Sequence, residues 1–171
     1  MLPFLRLALL NMSKCLMITE SVIFFPNEAS LLSFGEKLAH AVIAPAVIFM
    51  NGPLGAGKTT LARGFLHGLG YTAHVKSPTY TLVESYPIKK MTIFHFDLYR
   101  VHDPHELDFM GIQDYFNDQA ICLIEWPEKG TGVLPAPDLC FDIEMHKAGR
   151  KIKCTALSEH GTHILHRIVY E

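Results

Sequence analysis

A chain of 171 residues is long enough to form one domain that buries its own core without help from metals or disulfides. Apolar residues at 49% against 19% charged exclude a disordered chain. A formal net charge of −2 excludes a global basic field that would hold nucleic acid or an anionic membrane non-specifically, so any contact with nucleic acid is local or made through a partner.

The first residues, MLPFLRLALLNMSKCLM, resemble a short signal peptide, but Arg6 interrupts the apolar run and no small-x-small cleavage site follows. Lys14 before Cys15 also spoils a lipoprotein signal. No run elsewhere approaches the ~20 apolar residues of a membrane span, and a cytoplasmic protein without membrane contact is expected. Residues 1–16 read as a non-native or disordered extension, with Met12 or Met17 as the start; the alternative is an extra N-terminal strand. Residues 17–171 read as a single domain.

SVIFF reads as a first strand, and Asn27 is placed to cap a helix over EASLLSFGEKLAHAVI, in which Leu31, Leu32, Leu38 and Val42 recur at helical spacing. AVIFM is short, apolar and β-rich, as a strand covered on both faces should be. A glycine-rich loop follows, then a helix over LARGFLHGLG closed by Gly68 and Gly70. TYTLVESY and MTIFHFD, separated by PIKK, suggest a hairpin. PHELDFMG suggests a short helix starting at proline and stopping at glycine. AICLIEW is a second buried strand, LCFDIEMHKAGRKIKCTAL a second hairpin turning at KAGR, and SEHGTHILHRIVYE a closing helix.

Four cysteines, Cys15, Cys122, Cys140 and Cys154, lie far apart without a CxxC pair and read as reduced, partly buried thiols. His160, His163 and His166 read as a polar helix face rather than a metal site, because no carboxylate or cysteine accompanies them at ligand spacing.

The loop NGPLGAGKTT carries the chemistry. Gly52, Gly57, Lys58 and Thr59 fit G-x-x-x-x-G-K-[ST], with Gly55 an additional glycine inside it. Such a loop turns the main-chain N–H groups of Leu54, Gly55, Ala56, Gly57, Lys58, Thr59 and Thr60 toward phosphate oxygens, at the positive end of the following helix. Lys58 is then placed to reach the β- and γ-phosphates, and the Thr59 hydroxyl to ligate Mg²⁺. The expected ligands are ATP or ADP with Mg²⁺; the Asn-Lys-x-Asp tetrapeptide that reads guanine is absent. The expected fold is α/β, a three-layer domain like that of P-loop NTPases, with a mixed parallel and antiparallel sheet.

A P-loop needs an acid at a neighbouring strand end. Glu125, closing AICLIE, is the choice for the metal-side carboxylate, the alternative being a surface ion pair. Asp97, closing MTIFHFD, either orients the attacking water or shares the Mg²⁺ shell, or else caps the turn that follows. Thr79, in KSPTY, is either a switch threonine touching the γ-phosphate or Mg²⁺, or part of a plain loop. Trp126 reads as a packing or loop-anchoring residue. Arg63 and Arg100 are internal candidates for stabilising transition-state charge, or ordinary surface residues, and the basic HKAGRKIK is a solvated hairpin or a tRNA contact.

GPLGAGKTTLARGFL, VKSPTYTLVESY, FHFDLYR, ELDFMGIQDYF and ICLIEWPEKGTGVLP, with the spacing between them, resemble the bacterial TsaE family from about Val22 to the last helix. The resemblance implies an Mg²⁺-dependent ATPase, weak alone, of threonylcarbamoyladenosine modification next to the tRNA anticodon. It implies action with TsaB and TsaD, tRNA being reached through that complex. The family's P-loop lysine and threonine fall on Lys58 and Thr59, its essential aspartate on Asp97, its metal-binding glutamate and following tryptophan on Glu125 and Trp126, and its switch-like segment on Ser77 to Tyr80. The implied catalytic residues are Lys58, Asp97 and Glu125, and the metal ligands Thr59 and Glu125. A small-molecule kinase is the rival that the P-loop alone permits. It normally needs an arginine-rich lid, and the chain has five unclustered arginines, Arg6, Arg63, Arg100, Arg150 and Arg167. A nucleotide-binding module without turnover is the third reading.

Overall fold

The structure is a computed structural model and describes residues 19–171. The expected extension over residues 1–16, with Cys15, lies outside the described residues. Seven strands form one sheet in the order β1-β7-β6-β2-β5-β4-β3. They are β1 (Glu20–Phe25), β2 (Ala46–Asn51), β3 (Val83–Ile88), β4 (Met91–Asp97), β5 (Ala120–Glu125), β6 (Leu139–His146) and β7 (Gly149–Ala156). The helices are α1 (Glu28–Ala41), α2 (Lys58–Gly68), α3 (His105–Phe109) and α4 (Glu159–Tyr170), with single 3₁₀ turns at Ile112–Tyr115 and Pro127–Gly130.

β6, β2, β5 and β4 pair in parallel, and the hairpin strands β3 and β7 add antiparallel edges, with β1 outside β7. The mixed α/β sheet expected from the sequence is therefore present. β5 is buried along its whole length, as its unbroken apolar run requires of a parallel strand covered on both faces. One face packs Ile48, Met50, Ile121 and Leu123 against α1, α2 and α4; the other packs Phe96, Cys122 and Ile124 under α3 and the turn around Ile112. These are the three layers, the second helical layer being much thinner. Among the described residues no helix is long and apolar enough to cross a membrane.

Local chemistry explains the element ends. Asn27 caps α1 by accepting the Ser30 N–H at 2.9 Å, and the Ser30 hydroxyl oxygen accepts the Asn27 N–H in return, a reciprocal capping box. Ser158 caps α4 by accepting from the Gly161 N–H at 2.9 Å. His163 and His166 lie on the exposed side of α4. Cys122 and Cys154 are buried, Cys140 half-buried, and all three are free thiols.

Two readings shift. TYTL is a turn, and β3 begins only at Val83. The Thr81 and Leu82 N–H groups both donate to the Pro78 carbonyl, and Leu82 has φ +64°, so alternation there does not continue the strand. PIKK is not all turn either: Pro87 and Ile88 pair with Thr92 and Met91, leaving Lys89 and Lys90 as the turn. β3 lies at the sheet edge, where proline's missing donor is tolerated.

Candidate functional site

In open parallel sheets ligands are held beyond the carboxyl ends of the strands, and here three such ends line up. Met50 on β2 is the neighbour of Glu125 on β5, which is the neighbour of Asp97 on β4. The chain leaves β2 at Asn51, runs through Gly52–Gly57 and enters α2 at Lys58. Gly57 stands at the helix N-cap with φ +108°, a left-handed conformation, and a Cβ there would lie 2.7 Å from Leu31 Cδ2. The backbone conformation is what requires glycine here.

Around this loop lies a cavity of about 310 Å³ lined by Leu54, Gly55, Gly57, Lys58, Thr59, Thr60, Ser77, Thr79, Asp97, Tyr99, Glu125 and Trp126. Every site residue expected from the sequence is on its wall except Ala56, whose methyl is fully buried in the core while its N–H donates to the Pro53 carbonyl at 3.1 Å. Ser77, Tyr99 and Trp126 join the wall beyond those expected as ligand contacts.

The polar groups are bonded to one another. Lys58 Nζ donates to the Gly52 and Pro53 carbonyls at 2.6 and 3.0 Å and lies 4.0 Å from the centre of the Trp126 ring. The Thr59 hydroxyl donates to Glu125 Oε1 at 2.8 Å. Asp97 Oδ2 accepts from the Ser77 and Thr79 hydroxyls at 2.6 and 2.5 Å, and its Oδ1 accepts the Tyr99 N–H at 3.1 Å. Asp97 therefore both caps the following turn and faces the cavity, and Thr79 is tied to it rather than idle in a loop. Lys58, Asp97 and Glu125 are 4%, 3% and 3% exposed, a depth at which charges persist only with partners. Burial pulls the Lys58 ammonium below the ordinary lysine range, while Glu125, Asp97 and Glu128 pull it back up.

Two residues outside the cavity wall also escaped the sequence reading. His95 is fully buried with Nε2 2.8 Å from Glu125 Oε1; alternation along HFD places it on the face of Asp97, which was the available signal. Arg150, read as part of a solvated or tRNA-facing hairpin, instead folds back onto the glycine loop. Its Nε donates to the Ala56 carbonyl at 2.7 Å and one terminal nitrogen to the Gly55 carbonyl at 3.2 Å. The correction has a simple cause: β7 pairs with β6 and β1, so the hairpin stands beside the loop and not away from the body. Arg63 pairs with Glu28, Arg100 lies 4.2 Å from the centre of the Tyr80 ring, and neither lines the cavity.

A loop of this shape at a helix N-terminus, with a lysine and two acids beside it, offers anion-binding N–H groups and hard oxygen donors within one cavity. Residues 25–152 match the family model described as "Threonylcarbamoyl adenosine biosynthesis protein TsaE". Relatives named "tRNA threonylcarbamoyladenosine biosynthesis protein TsaE" include one from Haemophilus influenzae, 50% identical over 147 residues, covering 83% of this chain and 93% of the relative. Another, from Bacillus subtilis, is 39% identical over 136 residues, covering 77% and 82%. The crystal structure of the Bacillus protein YdiB superposes with a TM-score of 0.74 at 28% identity, covering 89% of this chain and 95% of that one. With the family model spanning most of its length and the loop and acids in place, the chain belongs to the TsaE family, whose role is in tRNA threonylcarbamoyladenosine biosynthesis.

Proposed function

We propose that this chain binds and hydrolyses ATP with Mg²⁺, and that its nucleotide state governs docking to TsaB and TsaD during threonylcarbamoyladenosine modification, with tRNA reached through those partners. The observation that supports the reading is the meeting of Lys58, Thr59, Asp97 and Glu125 around one cavity at the strand ends. The donor set fits the cation: one hydroxyl and one carboxylate, both hard oxygens already in contact, suit Mg²⁺, which takes few protein ligands and completes its shell from phosphate and water.

Division of labour follows from position. Lys58 exchanges its two carbonyl partners for phosphate oxygens, and Trp126 keeps its ammonium in place from behind. Thr59 and Glu125 hold the cation, which when bound neutralises charge developing between the phosphates. Asp97 orients the attacking water, its own carboxylate fixed by Ser77 and Thr79. A second cavity of about 420 Å³ shares Gly55, Gly57 and Thr60 with the first and continues along Asn27, Glu28, Leu31, Ala148 and Arg150. We assign the nucleoside to it and the terminal phosphates to the first. None of the described arginines, Arg63, Arg100, Arg150 and Arg167, lines the first cavity, which supports weak turnover alone, since a cationic group stabilising the transition state is then supplied by a partner.

The test is phosphate release from Mg²⁺-ATP by the purified protein, alone and with TsaB and TsaD from the same organism, with Glu125→Ala as control. Slow release alone and clear stimulation by the pair is the expected result. Absence of stimulation, with the γ-phosphate appearing on an added small-molecule acceptor, would overturn it in favour of a kinase.

A further inference from the structure

His95 lies deeper than Lys58, Asp97 or Glu125, yet none of the steps above uses it. It projects from β4 on the face of Asp97, two residues earlier, and so sits diagonally across from Glu125. Its Nε2 meets the same carboxylate oxygen, Oε1, that accepts the Thr59 hydroxyl, each at 2.8 Å. A carboxylate only accepts, so Nε2 carries the hydrogen. Nδ1 is buried and has no hydrogen-bond partner among the described residues. An imidazole retained for packing alone is a poor choice here, because leucine or phenylalanine fills the space without stranding a polar nitrogen. The favourable contact that offsets this cost is the bond to Glu125.

We propose that His95 is a positioning residue for Glu125. Two donors, Nε2–H and the Thr59 hydroxyl, pin Oε1 and set the plane of the carboxylate; Oε2, which accepts no hydrogen bond from the described residues, is left for the cavity. An unpinned carboxylate has to be ordered when the cation binds, and losing such an outer partner typically costs about 10–100-fold in metal affinity. The proposal rests on the nucleotide reading above, and its test separates the two.

Trp126, the chain's single tryptophan, lines the cavity, so its fluorescence reports occupancy. Wild type, His95→Leu and His95→Gln are titrated with a slowly hydrolysed ATP analogue in EDTA and then in rising MgCl₂. In EDTA, His95→Leu is expected to match wild type, while its half-maximal Mg²⁺ concentration rises about tenfold or more. Glutamine carries a nitrogen the same number of bonds from Cβ as Nε2, and His95→Gln recovers most of the loss. Equal Mg²⁺ response in wild type and His95→Leu, or glutamine no better than leucine in variants melting at the wild-type temperature, would make His95 a packing residue and overturn the proposal. If His95→Leu folds poorly, His95→Asn, polar but one bond too short, takes its place with the same expectation. Failure of wild type to bind the analogue at all counts against the nucleotide reading instead.

Discussion

Thr59 and Glu125, 66 residues apart in the chain, meet at 2.8 Å, so the first turn of α2 and the end of β5 share one hydrogen bond. Lys58, one residue before Thr59, bonds to loop carbonyls instead. Phosphate affinity and cation handling are thus carried by neighbouring residues with different partners. Lys58→Ala should weaken ATP binding by about tenfold or more, the loss of a charge-assisted contact. Glu125→Ala should retain binding within a fewfold while kcat falls about a hundredfold, because the metal shell is damaged and the cradle is not. Titration and steady-state kinetics on the two variants check this, and equal loss of affinity in both contradicts it.

Arg150 reaches the loop from the opposite side, clamping the carbonyls of Gly55 and Ala56. Holding the Gly55 and Ala56 carbonyls fixes the peptide planes of the loop that borders the cavity, so the guanidinium supports an anion site without lining it. It does line the second cavity, beside Asn27 and Glu28. Arg150→Met keeps the stem and removes the clamp; KM for ATP is expected to rise about tenfold with kcat within a factor of two, since binding geometry and not the reacting centre is disturbed. A fall confined to kcat would show that the clamp acts later than binding.

How much of this was legible depended on whether a feature was local. The buried strand AICLIE, the loop and its helix, and the acids at strand ends all follow from runs and spacings within a dozen residues, and the structure places them as read. Arg150 was not legible because its partners lie 94 and 95 residues away, and only the hairpin's place in the sheet brings them together. His95 was half legible: two-residue periodicity puts it beside Asp97, but the diagonal contact with Glu125 needs the β4–β5 register. TYTL misled because alternation is a statement about faces, and the Pro78 carbonyl had already claimed two of its N–H groups. Ala56 was assigned to the ligand through its main-chain N–H by its place in the motif; in the structure that N–H donates to the Pro53 carbonyl, and the methyl lies in the core beneath the loop.

The seating of α2, and with it Lys58 and Thr59, depends on close contact with α1. A Cβ at Gly64 would lie 2.3 Å from the Leu32 carbonyl oxygen, and one at Gly35 would lie 2.5 Å from that of Leu61. Alanine is ordinarily about 1 kcal/mol better than glycine within a helix. Here the obstacle is backbone, which cannot rotate away, and overpacking costs about 1–3 kcal/mol or more. Steric cost should win: Gly64→Ala lowers the urea midpoint at unchanged slope, a loss of about 2 kcal/mol in unfolding free energy. Ser33→Ala, on the exposed side of α1, should raise it slightly. A stabilised Gly64→Ala would mean that the helices have room to separate.

The thiols set an alkaline limit on stability. Burial pushes Cys122 and Cys154 from 9.0 up to about 12, the latter with help from Asp142 and Cys140. Each is raised in the fold, so the folded chain keeps protons that the unfolded chain has released. Their stabilising contribution is complete below pH about 9 and is lost as pH rises toward about 12. Each thiol adds a slope of about 1.4 kcal/mol per pH unit within that window. Cys154→Ala should cost stability at pH 8, through the volume it removes from a packed core, yet shrink the further loss between pH 9 and 11. Urea unfolding of wild type and variant at both ends of that range measures the difference; parallel curves would show that Cys154 ionises as readily in the fold as out of it.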